Sequence, residues 1–398
     1  MSGAGKLAAV ADRLDAAVEG GVTPCAQACA IQGGEVVHQS SHGVLPSGKP
    51  VRDGTRFDIA SVTKVMATTA LAGILIHRGQ LSFDDPVAER WSRREARHPH
   101  ETVASLLGHR SGLPAWEPMF AAVQGDPAAS IIYSKYATGF PDDGFDRSRE
   151  LMLRQLGAHP GGPPGPRVYS DLGFMMLGEL LSEVGGGRLE EQVVGEVLTP
   201  LGLEDTAYRP LPGGFLGSEG IVPTGELRPR PPAPGQAGLF RESGLSPRID
   251  AGAVDDDNAF ALGGVAGHAG LFSTASDVAR FGWAMYEEMM GRGRLGAQET
   301  FLRLGSLDPH GSGPDRTLGF DVPTGPNSTA GRYLGTAGPL GAIGHLGFTG
   351  CSLWIDRDRG VSVALLTNRT FFGRERVQGI RDLRREFHDT LAESLPAA

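Results

Sequence analysis

Lysine is scarce in this chain. Of 37 basic residues only Lys6, Lys49, Lys64 and Lys135 are lysines, and the rest are arginines. Codon bias accounts for that scarcity on its own, yet arginine cannot stand in where an amine must give up a proton. A basic excess is missing too: 46 acidic against 37 basic residues give a net charge of −9. That argues against a nucleic-acid partner, which needs a basic footprint. Three cysteines, Cys25, Cys29 and Cys351, are too few for a disulfide framework and fit a reducing compartment. The N-terminal residues show no cationic region leading into a long apolar run, and no 18-residue apolar stretch stands out as a membrane span. No membrane partner and a cytoplasmic location are therefore the expectations.

Several chemical motifs are absent as well. HExxH and CxxC do not occur, and Cys25 and Cys29 share one face of a strand as small core residues, so no metal or cofactor is expected. GxSxG is missing, which removes the α/β-hydrolase elbow. Gly43–Lys49 has the spacing of a phosphate loop, but Pro50 stands where a magnesium-binding hydroxyl is needed. Gly291–Gly296 matches GxGxxG but follows a helix pattern instead of a strand.

What is present is a chain of 398 residues, 40% apolar, long enough for two packed units or one core with a large insertion. Leu7, Val10, Leu14 and Val18 predict an amphipathic helix. Cys25–Gln32 and Glu35–Ser41 flank Gly33-Gly34 and predict a hairpin. Residues 61–78 are apolar nearly all round and predict a buried helix closed by Gly79. Glycine (59) and proline (28) make up roughly a fifth of the chain. They cluster in loops, notably 157–166 and 209–234. Ser352–Asp356 and Val361–Thr367 predict a second hairpin, and Val377, Ile380, Phe387 and Leu391 a C-terminal helix. Sheet-forming segments thus lie at both ends, each beside a helix. The expected fold class is α+β: an antiparallel sheet flanked by helices from residues 1–79 and 250–398, interrupted by a mostly helical insertion over 80–249.

One constellation carries chemistry. Ser61 and Lys64, three apart on the buried helix, share a face. A lysine buried in apolar surroundings should have a lowered pKa, leaving a neutral amine able to take the Ser61 proton. The alternative is that Ser61 caps the helix and Lys64 snorkels to solvent.

The stretch Phe57–Thr69 (FDIASVTKVMATT) closely resembles the nucleophile segment of the serine β-lactamase-like superfamily. The likeness is to its class C β-lactamase, penicillin-binding-protein-like and family VIII esterase group. Leu106–Pro114, Tyr169–Gly178, Gly263–Thr274 and Gly344–Ile355 resemble further segments of that group in the same order, over roughly Ala26 to Asn368. Gly263–Thr274, following Asp255-Asp256-Asp257-Asn258, is most similar to a branch that includes cell-wall peptide amidases. The resemblance implies a β-lactamase/transpeptidase-like fold.

It also implies residue roles. Ser61 would be the nucleophile and Lys64 its neighbouring base. Tyr169 would shuttle the proton to the leaving group. Asp171 stands where Asn is usual; its carboxylate would either hold Lys64 protonated, moving the base role to Tyr169, or cap the next helix. His345-Leu346-Gly347 replaces the Lys-Thr-Gly of many relatives. His345 would polarise Tyr169 or bind an acidic group, with Gly347 beside it on the same strand face. The N–H groups of Ser61 and Phe348 would form the oxyanion hole. His268 and His109 are expected to be structural. Loss of the fixed Lys cation disfavours β-lactam hydrolysis. A serine hydrolase of a small ester, amide or cell-wall-peptide-like substrate is the expectation. A β-lactamase, a D-alanyl-D-alanine carboxypeptidase and a catalytically silent scaffold stay open. Substrate choice is expected to lie in Tyr133–Pro166 and Arg209–Arg248.

Overall fold

A computed structural model describes residues 3–45, 47–95, 101–133, 142–163, 166–209, 220–224, 252–307, 316–325, 327–374 and 377–395. Most of Arg209–Arg248 and part of Tyr133–Pro166 lie outside the described residues.

The main sheet has five antiparallel strands in the order β2-β1-β8-β7-β6. Their ranges are β1 Cys25–Gln32, β2 Glu35–Gly43, β6 Ala342–Leu346, β7 Ser352–Asp356 and β8 Val361–Thr367. Both predicted hairpins form. Gly33 and Gly34 take φ of 60° and 90°, the mirror-image turn that matches strand twist and that side chains resist. Strand β1 then pairs along its length with β8, from Ala26 opposite Thr367 to Gln32 opposite Val361. The two chain ends therefore meet in one sheet.

Period-2 alternation gives that sheet two apolar faces. Ala26, Ala28, Ala30, Val361, Val363 and Leu365 face the terminal helices Gly3–Glu19 and Val377–Ser394. Cys29, Ile31, Leu353, Ile355, Ala364 and Leu366 face the larger core, where the Ala275–Met289 helix packs. All three cysteines are buried and unpaired.

A small second sheet orders β3 (Phe57–Asp58), β5 (Leu271–Ser273) and β4 (Ala207–Tyr208), with β5 in the centre. It sets Asp58 just before the segment bearing Ser61. That segment is not the single regular helix its apolarity predicts. It runs as a 3₁₀ turn (Ala60–Val62), a π-helical stretch (Lys64–Thr69) and an α-helix (Ala70–His77). By length and composition Ala60–His77 could cross a bilayer, but 83% of it is buried inside the fold. Its apolarity is that of a core helix.

Candidate active site

Three short contacts converge on Lys64. Its Nζ donates to Ser61 Oγ (3.0 Å), Asp171 Oδ1 (2.6 Å) and the His268 carbonyl (3.2 Å). The side chain is fully buried. Desolvation opposes charge there, but the Asp171 carboxylate and Tyr169 outweigh it, and the Lys64 pKa is raised. This corrects the expectation of a neutral amine: Lys64 is held as an ammonium. It does not snorkel. Asp171, the first residue of the Asp171–Gly185 helix, does not cap it either. Ser170 does, its Oγ accepting from Gly173 N at 3.2 Å.

The approach to Ser61 is strained. Ala60 takes φ of 47°, one of two non-glycine residues with positive φ among the described residues, and the other is His109 at 58°. Such backbone is uncommon for side-chain-bearing residues and clusters at functional sites. Asp58 clamps the strained turn: Oδ1 accepts from Ala60 N (2.8 Å) and Oδ2 from Asp255 N (2.6 Å). Burial still pushes its carboxyl up to about 7.

Tyr169 lies over this pair, 37% exposed to the cavity mouth. Its ring centroid is 5.0 Å from Lys64 Nζ, 5.0 Å from the Arg316 guanidinium carbon, 4.6 Å from the His109 ring and 5.9 Å from the His345 ring. His109 Nδ1 accepts from Ser170 N at 2.9 Å, which fixes the backbone next to Tyr169. Arg316 has no counterpart among the sequence-derived candidates. It pairs with Asp321, whose backbone exchanges two hydrogen bonds with Gly344 of β6 (2.7 and 2.9 Å). Burial lowers its pKa to about 10, so it stays a cation at neutral pH.

His345, next to last on its strand, is buried and not exposed to solvent. Its Nδ1 lies 2.9 Å from the Leu346 carbonyl. A carbonyl only accepts, so Nδ1 carries the proton. Burial first, then Arg316 and Lys64, push its pKa well below the ordinary histidine value, and the ring is neutral. Burial, Arg316 and Lys64 do the same to His109. Strand β6 stops at Leu346, so Gly347 is not on the strand face with His345 but opens a turn. Gly347 N donates to Cys351 O at 2.6 Å, which leaves that N–H to the turn. A Cβ at Gly347 would sit 2.5 Å from Ile59 O. Only glycine lets this turn touch the Ser61 segment. Phe348, half exposed, follows at the cavity edge.

Ser61, Tyr169, Asp171, Arg316, His345, Gly347 and Phe348 line a cavity of about 710 Å³ that also takes in Trp116, Asp256 and Arg384. His268, expected to be structural, lines it as well: Nε2 bonds Asp256 Oδ1 at 2.8 Å while its carbonyl holds Lys64. Burial would raise the Asp256 pKa, but His268 and a helix N–H hold it below the usual carboxylate range. Sequence reading named Ser61, Lys64, Tyr169, Asp171, His345, Gly347 and Phe348, and all of them line or adjoin this cavity. It missed Arg316 and Arg384, because single arginines outside a motif carry no signal among so many.

Residues 10–385 match the Beta-lactamase family. The chain is 28% identical over 339 residues to an Escherichia coli O157:H7 protein named "Putative D-alanyl-D-alanine carboxypeptidase", covering 82% of this chain and 72% of that one. It is 25% identical over 368 residues to the N-acetylmuramyl-L-alanine amidase of Bacillus subtilis strain 168, covering 87% and 77%. Among solved structures, EstCE1, a hydrolase with promiscuous acyltransferase activity, overlays with a TM-score of 0.66 at 21% identity, covering 95% and 98% of the two chains. That likeness is one of fold.

Proposed function

The chain belongs to the Beta-lactamase family, with its antiparallel sheet and flanking helices, and from that premise we propose that it cleaves a small ester or amide through an acyl-Ser61 intermediate. The observation that carries this reading is the buried ammonium of Lys64, tied at once to Ser61 Oγ and Asp171 Oδ1. A charged Lys64 cannot accept the Ser61 proton. The phenol oxygen of Tyr169 takes that role, and the ammonium stabilises the negative charge a base there must carry. Ser61 Oγ attacks the carbonyl carbon. The oxyanion rests on the N–H groups of Ser61 and Phe348. Tyr169 then delivers the proton to the departing alcohol or amine, and the C–O or C–N bond breaks. In the second half Tyr169 takes a proton from water, hydroxide attacks the acyl carbon, and Ser61 leaves with that proton. Asp171 keeps Lys64 charged throughout.

The substrate reading rests on His345-Leu346-Gly347, which stands where many relatives carry Lys-Thr-Gly. His345 is neutral, so the strand presents no fixed cation to a β-lactam carboxylate. Esters and peptide amides are the favoured substrates, in line with the named amidase relative. A D-alanyl-D-alanine carboxypeptidase is the second reading, favoured by the named Escherichia coli relative. The test compares a short-chain nitrophenyl ester, a D-alanyl or muramyl peptide and a chromogenic cephalosporin, each with wild type and Ser61→Ala. Ester or peptide turnover that Ser61→Ala abolishes is the expected result. Faster turnover of the cephalosporin than of the others would overturn the substrate reading.

A further inference from the structure

Arg384, on the C-terminal helix, is buried beneath the turn that carries Phe348. Its Nη2 donates to Gly347 O (2.6 Å) and Cys351 O (2.6 Å), and its Nε donates to Gly350 O (3.1 Å). No carboxylate pairs with it among the described residues. A buried guanidinium bonded only to carbonyls is an expensive arrangement, because no opposite charge offsets its desolvation. Burial lowers its pKa to about 10, and it remains a cation at neutral pH.

The contacted carbonyl matters. Gly347 C=O and Phe348 N–H belong to one peptide plane, and a trans peptide points them in opposite directions. Drawing the carbonyl down onto Arg384 turns the Phe348 N–H away from the helix. A charge-assisted bond to the oxygen also polarises the amide and strengthens its N–H as a donor. The next peptide is held the same way, with Arg369 Nε donating to Phe348 O at 2.8 Å. Gly347 supplies one of the two torsions that rotate this plane, and glycine resists rotation least. Gly350 N also donates to Gly347 O at 3.0 Å, so the turn and Arg384 hold the same carbonyl, and Arg384 adds the charge-assisted bond.

We propose that Arg384 is the positioning residue of the oxyanion hole: it fixes the Gly347–Phe348 peptide with its N–H toward the substrate oxygen. The proposal rests on the acyl-Ser61 reading.

The test uses the full chain phosphonylated at Ser61 by a fluorophosphonate, which leaves a phosphoryl oxygen where the oxyanion would sit. Adduct formation is counted by intact mass, and the ³¹P resonance of the adduct reports hydrogen bonding to that oxygen. Wild type is compared with Arg384→Met and Arg384→Lys. The expected result is a resonance moved toward that of the denatured adduct in Arg384→Met, with a smaller move in Arg384→Lys. Nitrophenyl-ester kcat per labelled site should fall about 10²- to 10³-fold in Arg384→Met, the loss typical of a missing oxyanion donor, with KM within about threefold. Should Arg384→Met not fold, Arg384→Lys decides, with an expected loss of about tenfold. An unmoved resonance and unchanged kcat per site in a folded variant would overturn the proposal. Absence of any wild-type adduct would instead remove the acyl-Ser61 reading, and this inference with it.

Discussion

At the scale of single residues, the protonation of Lys64 decides the proposed mechanism. Burial alone pushes a lysine toward neutrality. Here a carboxylate 2.6 Å away reverses the outcome. Asp171→Asn removes that carboxylate and keeps the shape. Lys64 then titrates at lower pH, and the alkaline limb of kcat/KM against pH moves down. We expect about a tenfold loss of kcat/KM at pH 8 or above and a smaller loss near pH 6. A uniform loss across pH would show that Asp171 acts only through shape. The spacing of Ser61 and Lys64 on one helix face revealed that pair, and the resemblance of Tyr169–Gly178 to the family's segment added Tyr169. Both left the partner of Asp171 open, since 107 residues separate it from Lys64. Arg316 and Arg384 stayed invisible for a related reason: their value lies in what they touch.

At the scale of elements, two backbone features bring the proposed catalytic groups within reach. One is the strained turn at Ala60, tied down by Asp58. The other is Gly347, whose missing side chain lets the β6–β7 turn meet the backbone of Ile59. Gly347→Ala would place a methyl group 2.5 Å from Ile59 O and 3.1 Å from Cys351 Cβ. Overpacking of this kind costs typically 1–3 kcal/mol. It would also push Phe348 away from Ser61, so kcat should fall more than tenfold with a lowered melting temperature. Wild-type kcat in this variant would refute the close approach. Both hairpins were legible because alternation and glycine turns are local signals. Of the conformation of the Ser61 segment, only a buried apolar helix was legible. Along its change from 3₁₀ to π to α geometry the segment bonds to Asp58 through Ala60 N, to the His268 carbonyl through Lys64 and to the Gly267 carbonyl through Thr68, partners that no local pattern encodes.

At the scale of the whole molecule, the sheet closes only when β1 and β8 pair, and the terminal helices seal its outer face. His388 belongs to that seal. Its Nδ1 donates to the Thr329 carbonyl at 2.8 Å, and burial lowers its pKa from 6.5 to about 4. The unfolded chain therefore binds a proton over this range that the folded chain refuses. The contribution of His388 is full above pH 6.5 and is lost as pH falls toward about 4. The loss amounts to about 1.4 kcal/mol per pH unit. His388→Gln should be less stable than wild type at pH 7, with the gap narrowing at pH 5 in urea unfolding. Parallel curves would contradict the neutral burial of His388. The meeting of the chain ends was legible from sheet signals at both termini. Which loops shape the substrate was not, because glycine- and proline-rich sequence lacks the periodicity that locates an element.

Acylation of Ser61 is the claim on which the rest depends. Its most direct measurement is intact mass after incubation with a fluorophosphonate, wild type beside Ser61→Ala. A single adduct on wild type and none on Ser61→Ala is the predicted result. No adduct on wild type, or an equal adduct on both proteins, would contradict it.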